Sequence, residues 1–324
     1  MKSLLILFLS FIFFSSCVYE RVIDIGDIPI APHLVLNSLV QAGNDTSYFY
    51  LTESRAIYGD TTTVWDRDKS GFTMIRNADF NLNINGNTHH VEFSHADSAY
   101  VFIGKLHGGD DVSIQISQNK RNINTKGILP SVPEVLSVDT ARFQRIESGN
   151  LRKYIMFKIK IKDRPGSKDY YRLMINGVYY YQWNNEYNYY NSNSFYTDDP
   201  ILKNGYTGTS GNSDIGLASS VYNYYSVFRD VGFADQEYTL SFYVDDFDEE
   251  SGNNYSNGRE YLYVGMQSIS EDLYKYYSSL QRNRQLAWNN ISEPIMIHTN
   301  IDGGLGILGT CNEVKLFEYK TSKK

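Results

Sequence analysis

The sequence predicts a mainly β protein: two β-sandwich domains, Ig-like or transthyretin-like, with one amphipathic helix in the second. Three observations carry this. Short runs of β-branched and aromatic residues recur between Gly, Asn and Asp turns. Ile155, Phe157, Ile159 and Ile161 alternate with Met156, Lys158, Lys160 and Lys162, a period of two with one dry face and one wet. One stretch near the C-terminus has helical rather than strand spacing.

The first domain is placed at 33–129. Leu34 to Val40 and Thr46 to Glu53 flank a Gly43-Asn44-Asp45 turn. Phe80 to Asn85 leads through Asn85-Gly86, a strong hairpin signal, into His89 to Ser94. Tyr100 to Leu106 and Val112 to Ile116 follow, separated by Gly108-Gly109-Asp110. Leu129 to Pro133, LPSVP, marks the boundary, because two prolines stiffen the crossing.

The second domain is placed at 134–324. Arg164-Pro165-Gly166 turns into Tyr170 to Ile175, and Asn176-Gly177 predicts a second type I′ hairpin into Val178 to Trp183. Glu237 to Val244 and Tyr261 to Gln267 read as strands joined by an acidic loop, and Gly306 to Thr310 and Glu313 to Tyr319 as the last two. The helix is expected near 270–287. Ser268 and Glu271 match a capping box, and Leu273, Tyr276, Tyr277, Leu280 and Arg284 fall on helical spacing.

Before these domains, residues 1–17 read MKSLLILFLSFIFFSSC: a basic start, an apolar run from Leu4 to Phe14, and small residues ahead of a cysteine. This is the pattern of a bacterial lipoprotein signal peptide, with Cys17 acylated by palmitate-type chains. The apolar run is about half the length that crosses a bilayer as a helix. Residues 18–32, with Pro29 and Pro32, form an extended tether. The net charge of −7 excludes the basic face that nucleic acid or a polybasic membrane contact requires. Cys311, the second of two cysteines, is left without a disulfide partner and reads as a small buried hydrophobe.

The most distinctive internal stretch is Val178 to Tyr196, VYYYQWNNEYNYYNSNSFY. Flat rings interleaved with amides suit stacking on sugars or clamping a peptide, which makes Tyr181, Trp183, Tyr187, Tyr189 and Tyr190 the candidate ligand-binding residues. Tyr222 to Tyr225 could extend that surface. The alternative is a long hairpin whose tyrosines pack on the sheet below.

Asp246, Asp248 and Glu250 are the candidate calcium ligands, yet the loop lacks the glycine and terminal glutamate of an EF-hand. A solvated acidic loop that keeps a sheet edge from sticking accounts for it better. The histidines, among them His89, His90, His95 and His107, lack metal-ligand spacing. No nucleophile motif is present, and no cofactor is expected.

Several stretches together resemble a Bacteroidota lipoprotein family known as domain of unknown function 4249. They are Phe14-Ser-Ser-Cys17 with Val22-Ile-Asp-Ile25, Val132-Pro133 to Asp139, Asp169-Tyr-Tyr-Arg-Leu173, Leu273 to Leu280, and Ser292-Glu-Pro to Asn300-Ile-Asp-Gly-Gly-Leu-Gly306. The resemblance implies an outer-membrane lipoprotein, often encoded beside TonB-dependent transporters, with β-sandwich domains and no established catalytic residues. Surface display is expected, although only Glu20 and Asp24 lie close after Cys17. The function expected is therefore non-enzymatic: an accessory or ligand-binding partner of such a transporter, with a glycan or peptide ligand. A surface adhesion or protein-interaction module is the alternative, and a hydrolase the third.

Overall fold

The computed structural model describes residues 32–54, 73–147, 149–183, 186–203, 225–246, 257–286 and 295–320. Cys17, expected to be acylated, residues 18–31 of the expected tether, and Asp248 and Glu250 lie outside them. Residues 33–54 and 73–320 belong to one compact unit.

The chain is mainly β. Its strands begin with β1 (Leu34–Gln41), β2 (Thr46–Glu53), β3 (Asp79–Ile84), β4 (Asn87–His90), β5 (Glu92–Ser94) and β6 (Ala99–Ile103). Then come β7 (Asp111–Gln118), β8 (Arg121–Ile128), β9 (Glu134–Glu147), β10 (Asn150–Lys162), β11 (Tyr170–Trp183) and β12 (Glu186–Ser192). A short helix α1 (Pro200–Lys203) precedes β13 (Val227–Arg229), β14 (Glu237–Asp245) and β15 (Asn257–Ile269). Helix α2 (Glu271–Leu286) and β16 (Leu305–Lys320) close the chain. The strands form three sheets: nine strands in the order β12-β11-β15-β16-β1-β2-β6-β5 with β13 also on β11, three as β14-β10-β9, and four as β4-β3-β7-β8.

The Asn85-Gly86 hairpin forms as expected, with both residues at positive φ (50° and 86°) as a type I′ turn requires. The segment expected as a strand from His89 to Ser94 instead changes sheets. β4 pairs with β3, β5 pairs with β6, and buried Val91 lies between them.

The second expected hairpin is corrected. β11 runs straight through Asn176-Gly177, and β12 pairs back with Trp183 opposite Glu186. Gly177 serves packing there, because a Cβ at that position would meet the ring of Tyr179. The two C-terminal strands are likewise one. β16 lies parallel to β1 from Leu305 to Cys311 and antiparallel to β15 from Cys311 to Lys320, so the chain has a partner throughout. It therefore joins the two halves of the nine-stranded sheet. Thr310 donates to the carbonyl of Ile128 (2.7 Å) and Asn312 to that of Pro130 (3.0 Å), so the LPSVP segment is fastened to the same strand.

Alternation decides what each sheet buries. Leu34, Leu36, Phe49 and Leu51 of the large sheet share one core cluster with Phe80, Leu82, Val112, Ile114, Ile116 and Ile123 of the four-stranded sheet. Ile155, Phe157, Ile159, Ile161, Leu240, Phe242 and Val244 share a second with Tyr171, Leu173, Leu262, Val264 and Met266. Fully burying each such side chain contributes about 1.5–3 kcal/mol. The opposite face of β10 is wet, with Lys160 and Lys162 paired to Glu237 and Glu134.

Helix α2 matches the expected span, but its cap is Ser270 rather than Ser268. The Ser270 hydroxyl accepts the amide of Leu273 (3.4 Å), whereas Ser268 is buried inside β15. Leu273 packs over bare Gly309, and with Tyr276 and Tyr277 it covers Ile269, Ile307 and Cys311. Burial pushes the Cys311 thiol up to about 12. The thiolate is the reactive form, so this cysteine is expected to resist alkylation in the native protein and to react at once in guanidinium. Rapid native labelling by a maleimide would contradict the packing described.

Candidate ligand-binding surface

The Tyr-rich hairpin ends the nine-stranded sheet, with β12 as its terminal strand. Register places Tyr179 opposite Tyr190 and Tyr180 opposite Tyr189, and the paired rings lie 5.5 and 6.1 Å apart. The inner ring of each pair rests on the sheet. Tyr179 lies over Gly177, and Tyr180 over Gly258, its cross-strand neighbour. The outer rings face solvent, Tyr189 being 52% and Tyr190 42% exposed. The inner strand's tyrosines therefore pack on the sheet, while the outer strand's face solvent.

The aromatic surface continues beyond the hairpin. Tyr196 bridges β14 at Tyr243, and their rings stack at 5.2 Å. Tyr243 meets Tyr154 of β10 edge-on (5.1 Å), and Tyr154 stacks on Phe143 of β9 (5.3 Å). These four side chains form a cross-strand row over the three-stranded sheet. Tyr196 is 38% exposed at one end, while Tyr154 is covered by its neighbours. Offset and edge-on ring pairs of this kind add about 0.5–1.5 kcal/mol each beyond area burial.

Two charges frame the row. The Arg145 guanidinium sits over the rings of Tyr154 and Tyr243 (5.9 and 5.8 Å) and donates to the Tyr243 hydroxyl (3.4 Å). Tyr196 donates to the Asp245 carboxylate at 3.3 Å. Burial pushes the Tyr179 phenol up to about 12, with Arg259 opposing the shift and Asp245 adding to it. Burial and Asp245 raise Tyr190 as well. Asp245 thus links the hairpin electrostatically to the row. The Tyr179 and Tyr190 phenols therefore stay protonated at neutral pH and can donate hydrogen bonds. The surface offers ring faces, phenol donors, the Asp245 carboxylate and the Arg145 guanidinium.

A family model described as Domain of unknown function (DUF4249) matches residues 19–316. The chain belongs to that family. No curated protein matches it. The span matched to domain of unknown function 4249 takes in both core clusters and the aromatic row.

Within this family member, the other residues singled out by the sequence have the following places. The side chains of Tyr181, Trp183 and Tyr187 lie outside the described residues, as do 204–224, which include Tyr222. Tyr225 does not extend the surface: it stacks on Tyr277 of α2 (5.0 Å), beside Arg172 near the start of β11. Asp246 is buried, and its carboxylate is held by the guanidinium groups of Arg259 (3.2 Å) and Arg142 (2.9 Å).

A second acidic group is structural. Asp169 takes a two-point contact from Arg164 and donates its amide to Asp230, and Asp163 accepts from Tyr171 and the amide of Asp235. These bonds tie the 163–169 turn to the 230–236 turn. Burial holds the Asp163 carboxyl above the usual range.

Sequence reasoning missed Phe143, Tyr154 and Tyr243 as members of the surface. Each lies within an ordinary strand, and only cross-strand register brings them together. The available signal was Tyr154, which falls on the lysine side of β10, where a ring is out of pattern.

Proposed function

We propose that this protein is a non-enzymatic, lipid-anchored lipoprotein of the bacterial outer membrane, of Bacteroidota type, that captures a glycan or peptide at its aromatic row. In this reading it serves as an accessory partner of a TonB-dependent transporter and is displayed at the cell surface. Its two core clusters correspond to two sandwich-like halves, Ig-like or transthyretin-like. The observation that carries the binding role is the pair of solvent-facing rings Tyr190 and Tyr196 backed by covered ones, a rigid apolar platform with polar tips. The anchor reading rests on the lipobox-like end at Cys17. Among the described residues no helix is long and apolar enough to cross a membrane.

Two experiments test the reading. Replacing Cys17 with Ala is expected to move the protein from the membrane to the soluble fraction, and retention in the membrane would refute acylation as the anchor. Screening the purified mature protein on glycan and peptide arrays is expected to give a restricted set of binders. A flat array, together with co-sedimentation on neighbouring cells, would replace ligand capture with adhesion.

A further inference from the structure

We propose that the outer edge of β9 is a self-association surface, and that its occupant is β9 of a second copy of this chain, paired antiparallel about a two-fold axis. β9 runs for 14 residues without a proline and ends the three-stranded sheet, and among the described residues it pairs with β10 alone. Residues 139–142 and 144–146 are exposed. The edge of a sheet presents outward-pointing backbone donors and acceptors, and proteins usually shorten, bend or cover one of this length. The irregularity in the β9–β10 register falls at Leu136, which leaves β9 regular from Ser137 onward.

Symmetry limits how two such strands pair. A two-fold axis normal to the sheet keeps the same face up in both copies, so in this stretch odd-numbered residues meet odd and even meet even. An axis through Arg142 is the arrangement the side chains favour. It sets Asp139 opposite Arg145 twice over, and opposite charges facing each other across a strand pair are stabilising. It sets Val138, half-buried at the margin of the second core cluster, opposite Ile146, which is 73% exposed. Both lie on the core side of the sheet, since Val138 is the register partner of Ile159 and Ile146 that of Leu151. It also sets Phe143, the last ring of the aromatic row, opposite Ala141, a large side chain beside a small one. Arg142 meets its own copy there, but each guanidinium is held by its own Asp246 at 2.9 Å.

Neighbouring registers lose this match. With the axis on Ala141, Asp139 faces Phe143 and Arg145 faces Ser137; with the axis on Phe143, Arg145 faces Ala141. Pairing through Arg142 joins the two three-stranded sheets and brings two aromatic rows onto one face. The inference stands on the strand edge and does not depend on ligand capture.

Cross-linking and sedimentation test it. In antiparallel pairs the facing Cα atoms lie about 4.5–5.5 Å apart, within the span a disulfide bridges. Arg142→Cys is therefore expected to form a disulfide-linked dimer when cells producing the full-length protein are mildly oxidised. Thr140→Cys and Gln144→Cys, which face other residues in this register, are expected to stay monomeric. Cys311 is buried and does not compete. In sedimentation equilibrium of the purified mature protein in density-matched detergent, a monomer–dimer equilibrium is expected. Asp139→Arg and Arg145→Asp are each expected to weaken it at least about tenfold, and the two together to restore it. A monomer at every concentration, single changes without effect, or equal cross-linking of Thr140→Cys and Arg142→Cys would overturn the proposal. Cross-linking of Arg142→Cys to a different protein instead of a second copy would overturn it too, and would give the edge to a foreign strand.

Discussion

Replacing Gly306 with valine is expected to destabilise the protein by at least about 2 kcal/mol, read as a lowered midpoint in urea unfolding. Gly306 has φ 103°, a conformation that side chains strain to adopt, and a Cβ there would run into the backbone carbonyl of Leu36. That carbonyl belongs to β1 at its parallel pairing with β16, where Leu36 is the register partner of Gly306. The obstruction is backbone, so no rotamer change relieves it. Gly166 provides the control. It also has positive φ (73°) but open space around it, and Gly166→Ala is expected to cost only about 1 kcal/mol. Equal effects at the two sites would mean that β16 does not approach β1 as described.

Asp246→Ala is expected to cost about 3–5 kcal/mol, because it strands a buried cation. The Arg259 and Asp246 side chains are 4% and 3% exposed, so the guanidinium would lose its counter-charge where water cannot replace it. Arg142 holds the same carboxylate from a largely exposed position, and Arg142→Ala is expected to cost under about 1 kcal/mol. Changing Asp246 and Arg259 together to apolar residues of similar size is expected to recover much of the loss. Chemical unfolding of the three variants checks the ranking, and a mild Asp246→Ala would show that the pair is solvated.

Much of the fold was legible because alternation is a local signal. Ile155 to Ile161 declared a buried face, Asn85-Gly86 a hairpin, and Leu273 with Tyr276 and Tyr277 a helix face. The failures share one cause. Gly177 after an asparagine resembles a turn, yet its missing Cβ makes room for a ring two residues along the strand. Cys311-Asn312 resembles a break, yet both residues find partners from distant strands, Ile269 and the carbonyl of Pro130 among them. β8 and β9 were missed because Asn, Lys and Arg dilute their alternation. In the aromatic surface, the contiguous tyrosines of β12 were visible in the sequence, while Phe143, Tyr154 and Tyr243 become neighbours only through pairing between β9, β10 and β14.

The central claim is that the row from Tyr190 and Tyr196 to Phe143 is a binding surface and not merely packing. Its most direct test is a titration of the array-selected ligand against the wild-type protein and the Tyr190→Ala/Tyr196→Ala variant. Loss of two exposed platform rings is expected to raise Kd at least about tenfold while the melting temperature stays close to wild type. An unchanged Kd in a folded variant would contradict the assignment.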